Sequence, residues 1–244
     1  MQTSSKATVL IIFAIPVIGM LFWLYPRAGV ERAPLNHREL ATRVMAEYLA
    51  SHFAGQRAVI ISNPFAQKKG QPPEIYAFEA AGIRGLNQGF GKSLAVEAVA
   101  FPDLRPEYQQ KPDSVYVDPK TTTPLSYLIA EDAFDVLAKQ HPACGLLVSL
   151  IGLPANLSRV ELWRNPAGPK LALLLPDLRV IGDRTAIRSA VKSGQIAALV
   201  LNKPGAPAED APREKDRQAE FARRFLLVTP ETVDELMRAY PKLF

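Results

Sequence analysis

The sequence predicts an α/β domain built on a doubly wound, mostly parallel sheet of about six strands, preceded by one N-terminal transmembrane helix. Three observations predict it. Six short apolar runs recur along the chain, from "RAVIISNP" at Arg57 to "RFLLVTP" at Arg224, each short enough for a strand and ended by a turn signal. Segments of helical period separate most of them, which is the pattern of a parallel sheet covered on both faces. Ahead of these lies "ATVLIIFAIPVIGMLFWLY", Ala7 to Tyr25, nineteen residues without a charge. At about 1.5 Å of helical rise per residue that length matches the hydrocarbon core of a bilayer.

Residues 1–6 are a short polar tail, 7–25 the membrane anchor, 26–35 a linker and 36–244 the soluble domain. Trp23 and Tyr25 stand where an interfacial aromatic belt lies, and Pro16 is tolerable within a membrane helix. A cleaved signal peptide is the competing reading, but "FWLYPRAGVER" lacks a small-x-small cleavage site. Lys6 precedes the span, whereas Arg27, Arg32 and Arg38 follow it. A count of positive charges keeps the domain in the cytoplasm, whereas the layout of a signal anchor with a long following domain favours the outer, periplasmic side.

The soluble domain opens with Asn36 and Glu39, a capping-box spacing for a helix to about Phe53 that places Leu40, Val44, Tyr48 and Leu49 on one face. "RAVIISNP" follows as the first strand. Ile75, Phe78, Gly82 and Leu86 then repeat at helical spacing from Pro73 to about Gly89, and "LAVEAVAFP" is the second strand. Thr123-Pro124 opens a helix through Gln140, and "GLLVSLIGLP" is the third strand. A short helix or turn from Ser158 to Arg164 leads into "KLALLLPD". Asp183 caps "RTAIRSAVKSG", Gly194 stops it, and "IAALVLNKP" is the fifth strand. A charged helix from about Arg213, the strand "RFLLVTP" and a helix begun by Thr229-Pro230 complete the chain. Two segments fall outside the alternation: the proline-broken polar insertion from Asp103 to Thr123, and "NKPGAPAEDAPRE".

Composition narrows the function. The formal charge is +5, and basic residues alternate with acidic ones, as in "APREKDRQAEFARR", so a nucleic-acid partner is not implied. The single cysteine, Cys144, precedes an apolar run and reads as a buried small hydrophobe. The three histidines, His37, His52 and His141, lie on or beside the first helix or before a strand, and no zinc, serine-hydrolase or cysteine-pair motif accompanies them. No cofactor, metal or catalytic residue is assigned.

One stretch imitates a phosphate-binding loop. "GLNQGFGKS", Gly85 to Ser93, ends in Gly-Lys-Ser as a P-loop does, but the position where its first glycine belongs holds Leu86. It also leaves a helix and enters a strand, the reverse of the order a P-loop needs. Gly89 and Gly91 are therefore expected to be a helix stop and a tight turn.

In open parallel sheets ligands bind beyond the carboxyl ends of the strands. Those ends read Ser62-Asn63-Pro64, Phe101-Pro102-Asp103, Gly152-Leu153-Pro154, Leu175-Pro176-Asp177, Asn202-Lys203-Pro204 and Val228-Thr229-Pro230. Each proline punctuates a strand, and together the exits display Asn63, Asp103, Asp177, Asn202 and Lys203 as candidate ligand-binding residues. With "RAVIISNP", "LLVSLIGLP" and "AALVLNKP" as its strand exits, the segment from Arg57 to Phe244 resembles one lobe of the type I periplasmic sugar-binding proteins, within the broader flavodoxin-like sheets. Those proteins close two lobes over a solute, whereas these residues make one, so the resemblance implies docking by a lobe used alone.

Three functions follow in order: a non-catalytic, membrane-anchored accessory subunit that docks on a protein partner in a larger membrane assembly; a tethered module that binds a small polar solute at the rim; and an enzyme using Asp103 and Asp177 as an acid/base pair.

Overall fold

A computed structural model describes residues 32–244; the apolar run 7–25 and the start of the linker lie outside the described residues. Among the described residues no helix is long and apolar enough to cross a membrane. The first described helix, α1 (Arg32–His52), starts earlier than the Asn36 capping box predicts, so the last four residues assigned to the linker are helical. Pro34 causes no difficulty there, because the first turn of a helix has N–H groups without intrahelical partners.

From the first strand onward strands and helices alternate, with a short helix inside the Asp103–Thr123 insertion and the last two helices starting four residues later than expected. Strand β1 (Arg57–Ile61) is followed by α2 (Pro73–Phe90), β2 (Ala95–Ala100), α3 (Pro106–Gln110), α4 (Leu125–Leu128), α5 (Ala133–Gln140) and β3 (Leu146–Ser149). Then come α6 (Glu161–Arg164), β4 (Lys170–Leu174), α7 (Arg184–Lys192), β5 (Ile196–Asn202), α8 (Arg217–Arg224), β6 (Phe225–Val228) and α9 (Val233–Ala239). Asp183 and Asp216 cap α7 and α8 by accepting the N–H groups of Ala186 and Ala219 at 2.8 and 2.7 Å. The helix expected from Thr123 to Gln140 is broken into α4 and α5, because Ile129 leaves the helical path to bridge Leu104.

The sheet has six strands in the order β2-β1-β3-β4-β5-β6. All pairs are parallel except β5–β6. The exception corrects one reading: because β6 is antiparallel, Thr229 and Pro230 leave it at the opposite edge from the other exits. The cause is local. Helix α8 returns the chain to the carboxyl edge, where the Lys203 N–H donates to the Arg224 carbonyl at 2.8 Å, so β6 enters from that edge.

Alternate residues of the central strands feed two cores. Ala58, Ile60, Val148, Leu174 and Val200 pack against α1, α2 and α8, whereas Val59, Ile61, Leu147, Leu173 and Leu199 pack against α5, α7 and α9. The glycine-rich stretch belongs to the first of these layers. Gly82, Gly85 and Gly89 form a seam along α2 on which α1 lies. A Cβ at Gly85 would fall on the Thr42 hydroxyl and the Glu39 carbonyl, and one at Gly89 on the Arg43 carbonyl. Gly89 is thus a packing residue inside the helix and not its stop. Gly91, at φ +54°, ends α2.

Candidate functional site

The strand order reverses between β1 and β3, which makes the carboxyl ends of those strands the switch point of the sheet and its usual ligand crevice. In this chain that crevice is filled. Gly152, just past β3, has φ +81°, and the space where its Cβ would stand is bounded by Ser126 Oγ at 3.1 Å and Thr123 Cγ2 at 3.1 Å. Both side chains are buried and share a hydrogen bond of 3.0 Å between their hydroxyls. Thr123 ends the insertion after β2, and Ser126 belongs to α4. What the sequence presents as an irregular connection is a closed loop whose neck is the antiparallel bridge between Leu104 and Ile129.

Three of the rim residues, Asp103, Asp177 and Asn202, line two open grooves. One, of about 590 Å3, lies at the ends of β1 and β2 and is lined by Phe65, Phe101, Asp103, Tyr108, Lys68 and Gln67 among others. The rings of Phe65 and Tyr108 meet edge to face, 6.0 Å between centroids. Asp103 is exposed there. Asn63, which precedes Pro64 of that lining, has its side chain engaged, its Oδ1 accepting the Phe65 N–H at 2.9 Å as the cap of a short 3-10 turn.

The second groove, of about 370 Å3, lies at the ends of β4 and β5 and contains Asp177 and Asn202. Leu175, at φ +46°, turns the chain out of β4, a conformation seldom adopted by a branched side chain. Asp177 is buried. Its Oδ1 accepts Arg179 Nε at 2.9 Å, and its Oδ2 accepts Arg179 Nη2 at 2.6 Å and the Thr121 hydroxyl at 2.8 Å. Burial pushes this carboxyl up, but the Arg179 and Thr121 hydrogen bonds outweigh it and hold the group below the usual carboxylate range. Asn202 is exposed, whereas Lys203 spends its ammonium on the Ala222 carbonyl at 2.7 Å.

Asp103 and Asp177 therefore line different grooves, with the filled switch point at β3 between them. No acid/base pair is assembled from them in this arrangement. Among the described residues no cluster of metal-ligating side chains occurs.

Two charged clusters behind the rim were not foreseen from the sequence. Arg38 of α1 donates from Nη2 to Glu79 of α2 at 2.7 Å and to the Leu150 carbonyl at 3.2 Å, while the Ser62 hydroxyl donates to the other oxygen of Glu79 at 2.6 Å. The guanidinium lies 4.1 Å from the centroid of the Phe78 ring. Burial pulls Arg38 below its ordinary value, and Glu79 acts against that shift. In the second cluster, Glu220 accepts Arg224 Nε at 2.6 Å and Arg223 Nη2 at 2.7 Å, and His37 Nε2 stands 3.7 Å away. Arg224 also donates to the Pro207 and Ala208 carbonyls, both at 3.1 Å, pinning the loop after β5. Glu79, four residues after Ile75 and three before Gly82, falls at helical spacing on the face those residues mark, and this is the signal for the first cluster in the sequence. Nothing local marks the second.

No family model matches this chain, and no curated protein matches it in sequence. Solved structures do. A carbohydrate-transporter solute-binding protein from Agrobacterium radiobacter, in complex with D-arabinose, is 17% identical, with a TM-score of 0.48 over 83% of this chain and 62% of that one. A sugar-binding protein of a sugar ABC transporter from Bacillus halodurans is 11% identical, with a TM-score of 0.44 over 82% and 64%. A periplasmic solute-binding protein from Actinobacillus succinogenes, with bound D-allose, is 10% identical, with a TM-score of 0.43 over 81% and 62%.

In the course of its chain the structure is similar to part of each of these solute-binding proteins. It spans somewhat under two thirds of the length of these relatives. At these identities the likeness concerns the course of the chain, and ligand and activity are read from this chain's own residues.

Proposed function

We propose that this is the non-catalytic interaction domain of a membrane-anchored accessory subunit, held on the outer side of the membrane by residues 7–25 and docking a protein partner at the carboxyl edge of its sheet. One observation carries the reading: the crevice at the switch point is occupied by Thr123 and Ser126 of the same chain, against Gly152. The charges beside it, Asp177, Glu79 and Arg38, are committed to internal partners. The loop that fills the crevice also presents Tyr116 at 74% exposure. Tyrosine is enriched among the residues that dominate protein interfaces, because it offers a large rigid surface with a polar tip.

The test is extraction of the full-length chain from its native membrane in mild detergent, followed by mass spectrometry, for the natural chain and for Tyr116→Asp. A stoichiometric partner retained by the first and lost from the second supports the proposal. A chain that emerges alone rejects it. Protease treatment of intact spheroplasts reports the side, since an outer domain is digested without lysis.

A second reading is favoured by the groove at β1 and β2. Aromatic faces beside a free carboxylate and amide side chains suit a small polyhydroxylated solute, with rings stacking on C–H surface and Asp103 accepting hydroxyls. A solute selective for the folded state raises the melting temperature by mass action. A panel of pentoses and hexoses should then give a shift that Asp103→Asn removes without altering the unliganded melting point. No shift across the panel at millimolar concentrations eliminates this reading.

A further inference from the structure

We infer that the loop from Leu104 to Ile129 is a gate held shut across the switch point, and that lifting it joins the two grooves into one trough. The inference shares with the docking proposal the contact of Thr123 and Ser126 with Gly152, and hydrogen exchange on the chain alone tests it separately from recovery of a partner.

The neck of the loop is fixed at the exit of β2. There the Ala130 N–H donates to the Asp103 carbonyl and the Arg105 N–H to the Leu128 carbonyl, each at 2.8 Å. Its far side is fastened to the exit of β4. Thr121 donates its hydroxyl to Asp177 Oδ2, and Arg179 joins Asp177 to Asp118 of the loop, with Nη1 to Asp118 Oδ2 at 2.9 Å. Because the sheet order runs β2-β1-β3-β4, a loop rooted at β2 and fastened at β4 crosses both strands that flank the switch point.

Ile129 and Leu104 build the neck into the core and Leu125 packs beside them, whereas the contacts of the loop beyond these are polar. Thr123 and Ser126 are small and polar, and their hydroxyls bond to each other. The Arg179 side chain that closes the latch is about half exposed, at 51%. Exposed ion pairs contribute little to stability, and segments fastened by them open below the global unfolding free energy. The grooves lie on either side of the crossing. Tyr108, on the first arm, lines one beside Asp103 at the neck, and Thr122, on the second arm, lines the other beside Asp177 and Asn202. With the loop raised, Gly152 becomes the floor between them, and the ends of β2 to β5 face one continuous opening.

Amide hydrogen exchange on the full-length chain in detergent tests this. The loop set, the N–H groups of Ser126, which the closed loop buries, and of Ala155, which donates to the Ser126 carbonyl, should exchange faster than the Leu150 N–H, which donates to the Ile61 carbonyl between β1 and β3, whereas the Arg105 and Ala130 N–H groups stay bonded at the neck. Arg179→Ala should accelerate the loop set by about tenfold, as loss of a charge-assisted hydrogen bond implies, and leave the Leu150 N–H unchanged. Asp118→Asn, which releases only the exposed half of the latch, should act in the same direction if Arg179→Ala fails to fold. Selective acceleration in either variant supports the gate. A loop set that exchanges in step with Leu150, or that neither variant accelerates, shows the loop to be part of the fixed core and overturns the inference.

Discussion

Arg38 and Glu79 meet at 2.7 Å behind the carboxyl ends of β1 and β3, each less than a tenth exposed, and Ser62 completes the coordination of the carboxylate. The pair joins α1 to α2 and, through the Leu150 carbonyl, both helices to the exit of β3. Removing one member strands the other in the interior. Glu79→Ala should therefore cost about 3–5 kcal/mol in chemical denaturation, and Arg38→Met with Glu79→Leu should recover most of that, since breaking a buried pair is costlier than replacing it with apolar volume. A cost below about 1 kcal/mol for Glu79→Ala, the range of surface pairs, would show the network to be solvated.

The glycine seam makes a sharper prediction about packing. At Gly85 the obstructing atoms include the backbone carbonyl of Glu39, which cannot turn aside as a side chain does. Gly85→Ala should lower stability by about 1–3 kcal/mol or more by forcing α1 away from α2. At Gly55, by contrast, a Cβ meets nothing within 4 Å, and only its φ of +80° opposes alanine. That substitution should cost about 1 kcal/mol, the conformational penalty alone. Equal losses at the two positions would contradict the close approach of the helices.

Nucleotide is expected not to bind at "GLNQGFGKS". Gly85 and Gly89 lie under α1, and Gly91-Lys92-Ser93 follows the end of α2, where helical carbonyls and not amides are left over. Magnesium ATP at millimolar concentration should leave the melting temperature unchanged. A saturable rise that Lys92→Ala removes would reverse this conclusion.

His37 gives the domain an acid sensitivity with a definite sign. Burial lowers the affinity of its imidazole for a proton, Arg224 lowers it further, and Glu220 opposes both. The folded state therefore binds the proton less readily than the unfolded chain, whose value is near the ordinary 6.5. Stability from this group is complete above that value and is lost as pH falls below it toward the folded value. Melting temperatures measured from about pH 7.5 down to about pH 5 should decline, and His37→Gln should flatten that decline. Asp177, held below the usual carboxylate range, remains charged throughout, so the latch on the loop does not open in the same interval. A His37→Gln variant with an undiminished slope would place the proton uptake elsewhere.

Tyr116 should be separable from stability. It is exposed and makes no side-chain hydrogen bond among the described residues, so Tyr116→Ser is expected to change stability by no more than about 0.5 kcal/mol while reducing recovery of a docked partner. A large loss of stability would reassign the residue to the fold of the loop.

Strands were the most legible elements. β1, β3, β4 and β5 are short apolar runs that proline or glycine brackets, and burial on both faces leaves such runs no alternative partner than a covered parallel sheet. The caps at Asp183 and Asp216 act through neighbours three residues away, and of these the first was read in advance. The start of α1 was misplaced because the Asn36–Glu39 spacing satisfies a cap pattern inside a helix that had already begun. Gly89 was misread because a glycine that ends a helix and one that admits a neighbouring helix look alike until the neighbour is in place.

Of the candidate site, the chain itself announces which residues stand at the strand exits, since a proline after each run marks them. It does not say what they touch. Asn63 spends its oxygen on a turn, Lys203 on a carbonyl, and Asp177 on an arginine two residues ahead and a threonine fifty-six residues earlier in the chain. The direction of β6, which removed Thr229 from the rim, depends on where α8 delivers the chain.

The sequence by itself determined the alternating α/β architecture, the charge-free stretch from Ala7 to Tyr25 and the residues at the strand exits, because periodicity, charge and turn chemistry act over a few neighbouring positions. Only the tertiary structure decided that Gly85 and Gly89 are a helix seam, that Asp103 and Asp177 line separate grooves, and that Thr123 and Ser126 close the crevice over Gly152. Each of these depends on an approach between segments far apart in the chain, and such approaches are set by the packing of whole layers.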